Sequence, residues 1–154
     1  MKTSDAGLVF PVFGFTPDRG IWGFADLDTF TSCGAMTLRE NLQLGMEVID
    51  SNLDRWVVRS VRPLGRAEPF WRWLVSRLLS TPQIRIEHEL ERLPSVSLDD
   101  AKARLILGLE TFPDHYANDD EMDTVLRPLI VKVRDMDRLS DALELLGLDS
   151  FMAY

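Results

Sequence analysis

A chain of 154 residues, 45% of them hydrophobic, is long enough to bury one self-sufficient core. Its single cysteine, Cys33, excludes a disulfide framework and suits a reducing compartment. The net charge of −8 repels phosphate backbones and argues against general nucleic-acid binding.

The first element is a strand over residues 8–15, where Pro11 should hold it at a sheet edge because proline cannot donate to a ladder. The same apolar run is too short and too interrupted for a signal-peptide core. No later stretch reaches the ~18–20 apolar residues of a membrane helix. The expected compartment is therefore the cytoplasm, with no membrane partner. Thr16-Pro17-Asp18-Arg19-Gly20 reads as a turn, and residues 21–24 should pair back as a second strand. Residues 25–36 carry no clear periodicity. Thr37-Leu38-Arg39-Glu40 matches a capping box, which predicts a short helix to about Leu44, ended by Gly45.

Residues 46–50 and 55–61 read as a hairpin around the polar loop Ser51-Asn52-Leu53-Asp54. A helix is expected over residues 68–80. Pro69 sits at its start and Pro82 stops it, while Trp73 falls off the apolar face near Arg77. Residues 84–90 alternate strictly, placing Ile84, Ile86, His88 and Leu90 on one face and Arg85, Glu87 and Glu89 on the other. Ser97 caps a helix from Leu98 to about Thr111, with Asp99 and Asp100 in its first turn. A loop follows over residues 113–120. Met122, Val125, Leu126, Leu129, Ile130 and Val133 then recur at helical spacing, although Pro128 leaves a strand over residues 128–133 as the alternative. A last helix spans residues 138–146. Together these elements define one α+β domain over residues 1–154: a small, largely antiparallel curled sheet packed against several helices, with a helix-rich C-terminal half.

The residues that could carry chemistry are few. Two histidines and one cysteine do not form a metal-ligand pattern, and glycine-rich phosphate loops and serine elbows are missing, so no metal or cofactor is expected. Cys33 reads as a small buried apolar residue; the alternative is a thiolate nucleophile working with His88 or His115. His88, on an apolar strand face, reads as a hydrogen-bonded core histidine. His115 lies between Asp114 and Tyr116, where a neighbouring carboxylate can tune an imidazole for acid–base work. Glu87, Glu89 and Glu91 make a carboxylate row on an open strand face, a pattern of solubility rather than of a catalytic pair.

The charge is unevenly spread: −4 over residues 1–51, +3 over 52–92 and −7 over 93–154. Arginines and tryptophans interleave between Arg55 and Arg77, and such residues are enriched at protein–protein hot spots. Trp73, stacked with Arg77 one turn on, is the candidate exposed anchor. Asp119, Asp120 and Asp123 belong to an acidic run without the glycine and bidentate glutamate of a calcium loop. They serve either helix capping or an acidic face for a cationic protein. In composition the chain resembles small acidic bacterial antitoxin and immunity proteins, which implies a non-catalytic inhibitor of a basic protein partner. A small ligand-binding sensor and a Cys33-dependent enzyme are the alternatives. An edge strand or Trp73 leaves room for a homodimer.

Overall fold

The computed structural model describes residues 1–66 and 83–148. Six strands form one sheet in the order β2-β1-β4-β5-β6-β3, and every neighbouring pair is antiparallel. They are β1 (Val12–Phe15), β2 (Ile21–Phe24), β3 (Ser32–Gly34), β4 (Glu47–Ile49), β5 (Arg55–Arg66) and β6 (Gln83–Leu93). The alternation read over residues 84–90 holds, with Ile86, His88 and Leu90 buried and Glu89 exposed.

The β5–β6 ladder shifts register twice, between Val58 and Ser60 and between Pro63 and Gly65. An extra residue on one strand bends it and increases its twist. These two bulges curl the sheet, so that its end strands β2 and β3 line one common cleft.

Two apolar clusters pack on opposite faces of the sheet. On one, Phe13, Phe15 and Ile49 meet Leu105 and Leu109 of α3 (Leu98–Thr111) and Val133 of α4 (Arg127–Arg134), with Leu146 and Leu148 after α5 (Ala142–Leu145). On the other, Val12, Val48, Trp56, Val58 and Leu90 enclose Phe24 and Phe30. Phe30 ends the short helix α1 (Leu27–Phe30), where Asp26 accepts from the Thr29 amide at 2.8 Å and its hydroxyl at 2.6 Å. Those two bonds hold the Asp26 carboxyl below its ordinary range.

Pro11 does not place its strand at an edge. The ladder of β1 begins one residue later, at Val12, and β1 runs inside the sheet between β2 and β4. The proline is spared a donor's role: its carbonyl accepts from the Ser51 hydroxyl at 2.7 Å. The capping box at Thr37 also fails. The helix α2 (Ala35–Arg39) starts two residues earlier behind Gly34, and Thr37 is a buried residue within it.

The hairpin forms around Asp50, whose carboxylate accepts from the amides of Val9 (3.0 Å), Asn52 (2.9 Å) and Asp54 (3.0 Å). Ser97 caps α3 by accepting from the Asp100 amide at 3.1 Å. The helical reading of residues 122–136 is correct. A π turn over Met122–Leu126 leads into α4, and Pro128 sits in the first turn, where its missing amide is not needed. The helix expected over residues 68–80, with Trp73 and Arg77, lies outside the described residues.

Candidate functional site

Of the groups that could support nucleophilic catalysis, Cys33 and His88 do not converge, whereas Cys33 and His115 both line one cleft. Cys33 lies on β3 opposite Ile84, four residues along β6 from His88, a separation of roughly 13 Å by strand rise. Its side chain is 4% exposed, and burial pushes the thiol up to about 11, the opposite of an activated thiolate.

His88 is fully buried among uncharged neighbours. Its Nε2 donates to Gln43 Oε1 at 2.7 Å, Thr3 Oγ1 lies 3.3 Å from Nδ1, and the ring stacks on Phe30 at 4.2 Å. Desolvation lowers this imidazole to about 4, so it is neutral near pH 7. His115 is exposed and stacks on Phe112 at 5.2 Å. His88 thus fills the role of a hydrogen-bonded core histidine.

The carboxylate row is neutralised from across the sheet. Arg59 pairs with Glu91 at 2.6 Å, Arg62 pairs with Glu87, and the Met1 ammonium pairs with Glu89. Arg59 is the unpaired residue of the first β5 bulge, which sets it beside Glu91. In the acidic run, Glu121 accepts from the Asn118 amide at 3.0 Å and closes a short turn over Asp119–Glu121. Asp119 and Asp120 are exposed, and Asp123 pairs with Arg127 at 3.1 Å. Capping accounts for Glu121, while Asp119 and Asp120 remain on an open acidic surface. Among the described residues no group of three His, Cys, Asp or Glu side chains is placed to hold a metal ion. No described helix is long and apolar enough to cross a membrane.

The feature that does gather residues is the cleft of about 670 Å³ at the seam between the two end strands. One wall is β2 with the turn before it. The facing wall is Ser32 and Cys33 of β3 with Met36, Leu42 and Leu44 from α2 and the turns that follow. Phe112, His115 and Tyr116, after α3, close one end. Burial pushes the Tyr116 hydroxyl up to about 12.

Met36, Leu42 and Leu44 are 47%, 40% and 49% exposed, so three large apolar side chains stand half open around the mouth. Such grouped exposure marks a contact surface more often than scattered leucines do. Asp18 and Glu40 carry the only carboxylates among the described lining residues, and no lysine or arginine lines the cleft there. Glu40 shares its charge with Arg39 at 3.2 Å, whereas Asp18 is held by the Thr16 hydroxyl and meets no cation among the described residues.

Sequence reasoning missed this site because its residues come from five separated segments. The single local signal was an apolar strand, Ile21-Trp22-Gly23-Phe24, with no charge or proline to protect an edge. Comparison with protein-family models, curated proteins and solved structures finds no match to this chain.

Proposed function

We propose that this chain is a non-catalytic binding protein that docks a segment of a basic protein partner in the cleft between β2 and β3. The observation that carries the reading is the cleft itself: apolar walls, half-exposed Met36, Leu42 and Leu44, and an acidic rim without lysine or arginine among the described residues. A partner with apolar side chains and flanking lysines or arginines complements that surface. Asp119 and Asp120 follow the cleft residues His115 and Tyr116 along the chain and extend the negative field that would steer such a partner. The raised thiol of Cys33 and the neutral, enclosed His88 favour binding over catalysis. Work in a reducing bacterial cytoplasm, as an immunity- or antitoxin-like inhibitor, completes the reading; its support is the lone cysteine and the acidic composition.

The test is panning of a random peptide display library against the purified protein. The expected winners have an apolar centre and basic flanks, and bind at least about tenfold more weakly when Leu42 and Leu44 are both replaced by serine. Both leucines are half exposed, so the double variant should keep the fold. Failure to enrich any peptide, or winners indifferent to Leu42 and Leu44, would overturn the proposal. A small-molecule sensor is the second reading, favoured by a volume inside the about 300–1,000 Å³ range of ligand sites. It predicts saturable uptake of an apolar dye, lost in the same double variant, with no peptide enrichment.

A further inference from the structure

We infer that the docked segment enters as an extended strand, pairing its main chain with the edge of β2 at Ile21 and Gly23, which has no strand partner among the described residues. This rests on the cleft being the receptor and adds the mode of recognition.

The register of the β1–β2 hairpin decides which peptide groups face away from β1. Thr16 N–H donates to Gly20 C=O at 3.0 Å, and the ladder continues through Gly14 opposite Trp22 and Val12 opposite Phe24. In an antiparallel pair, hydrogen-bonded positions alternate with non-bonded ones. The bonded positions are therefore Trp22 and Phe24, whose main-chain groups face β1. Those of Ile21 and Gly23 point the other way, off the sheet; both residues line the cleft, Ile21 half-buried and Gly23 buried. Among the described residues no main-chain hydrogen bond reaches Ile21 or Gly23 from outside the β1 ladder.

The facing edge is arranged alike. Ile86 N–H donates to Thr31 C=O at 2.8 Å, which makes Cys33 and Ile84 the next bonded pair and turns the main chain of Ser32 outward. Two edges of one curled sheet thus turn donors and acceptors without a partner among the described residues toward the same space.

Edge strands are ordinarily defended by charge, proline or a bulge, because an open edge is a template for another strand. β2 carries none of these defences: its sequence is Ile21-Trp22-Gly23-Phe24, paired without a register shift. Strand addition draws affinity from main-chain bonds and specificity from pockets that take alternate side chains. Here the alternate side chains would meet Trp22, Met36, Leu42 and Leu44, while basic flanking residues would reach Asp18 and Glu40. A helix or a globular surface would leave the outward peptide groups of Ile21 and Gly23 unpaired on burial, at a desolvation cost that a strand avoids.

The experiment uses a peptide enriched by panning, synthesised with a single N-methyl group at each position in turn. An added strand offers every second amide to β2, so methylation should weaken binding by at least about tenfold at alternate central positions and little between them. In parallel, amide exchange of the full chain is followed by NMR with and without the unmodified peptide. Trp22 and Phe24 should be protected in both states, and Ile21 and Gly23 only in the complex. Methylation without a period of two, or unchanged exchange at Ile21 and Gly23, would overturn strand addition. A peptide that still depends on Leu42 and Leu44 would leave the cleft reading standing; one that does not would remove both.

Discussion

Lowering the pH from 8 to 5 should weaken the fold by about 2 kcal/mol through His88 alone. The imidazole is fully buried against Phe30, Gln43 and Thr3, and none of these can stabilise a positive charge as a carboxylate would. Desolvation therefore lowers it from 6.5 in the open chain to about 4 in the fold. Between those values the unfolded chain binds a proton that the native protein refuses. Stability is fully present above about pH 6.5 and falls as the pH drops through the window to 4. The loss levels off below pH 4 at about 3 kcal/mol, at 1.36 kcal/mol per pKa unit.

The assay is urea unfolding at pH 8, 7, 6 and 5, on the protein and on His88→Gln. Glutamine at position 88 removes the proton-binding group, so the variant bears a constant packing cost but lacks this part of the pH slope. The difference between the two profiles isolates His88 from the carboxylates. Asp50 in particular, pushed up by burial against its three amide donors, loses stability as pH rises through its own window. Parallel profiles for protein and variant would refute the assignment of the acid slope to His88.

Gly108→Ala should destabilise despite lying within a helix, where alanine is ordinarily favoured by about 1 kcal/mol. A Cβ there would stand 2.5 Å from the Ile21 side chain and 2.9 Å from the Arg19 carbonyl, so overpacking of about 1–3 kcal/mol wins; thermal unfolding of the variant reads the sign. Asp50→Ala leaves three amides without their acceptor, at a cost of about 2–4 kcal/mol in denaturant unfolding. Asp50→Asn, which keeps one acceptor oxygen, should lose less. Cys33 should resist iodoacetamide at pH 8 in the native protein and react readily once unfolded, because its thiol is enclosed and pushed up to about 11. Native labelling at the rate of a free thiol would contradict that placement.

Elements with a strong local pattern were legible. The alternation through Ile86, His88 and Leu90, the turn at Thr16-Pro17-Asp18-Arg19-Gly20, and the Ser97 cap with its helix to Thr111 all stand where the sequence put them. Local rules misled where a partner elsewhere in the chain supplied what they assumed was lacking. Pro11 implied an edge, but the strand simply starts after it and Ser51 takes its carbonyl. The Thr37 capping box was outweighed by burial of that threonine inside a helix that starts at Ala35. The short helix Leu27–Phe30 and the strand Ser32–Gly34 were invisible because a single cap at Asp26 and three ladder positions leave no periodicity to read.

The sequence by itself determined the α+β class, the hairpins, the long helix and the inward face of β6, because alternation, capping and turn chemistry act over a few residues. Its scarcity of histidine, cysteine and glycine loops also spoke against several chemistries before any fold was known. Only the tertiary structure decided that Cys33 and His88 stand apart, that the glutamate row is matched by arginines from β5 and the chain's own ammonium, and that β2 and β3 confront each other across a cleft. The physical reason is that two bulges in β5 curl the sheet, and the meeting of its first and last strands is a property of that accumulated curvature, which no short window of sequence contains.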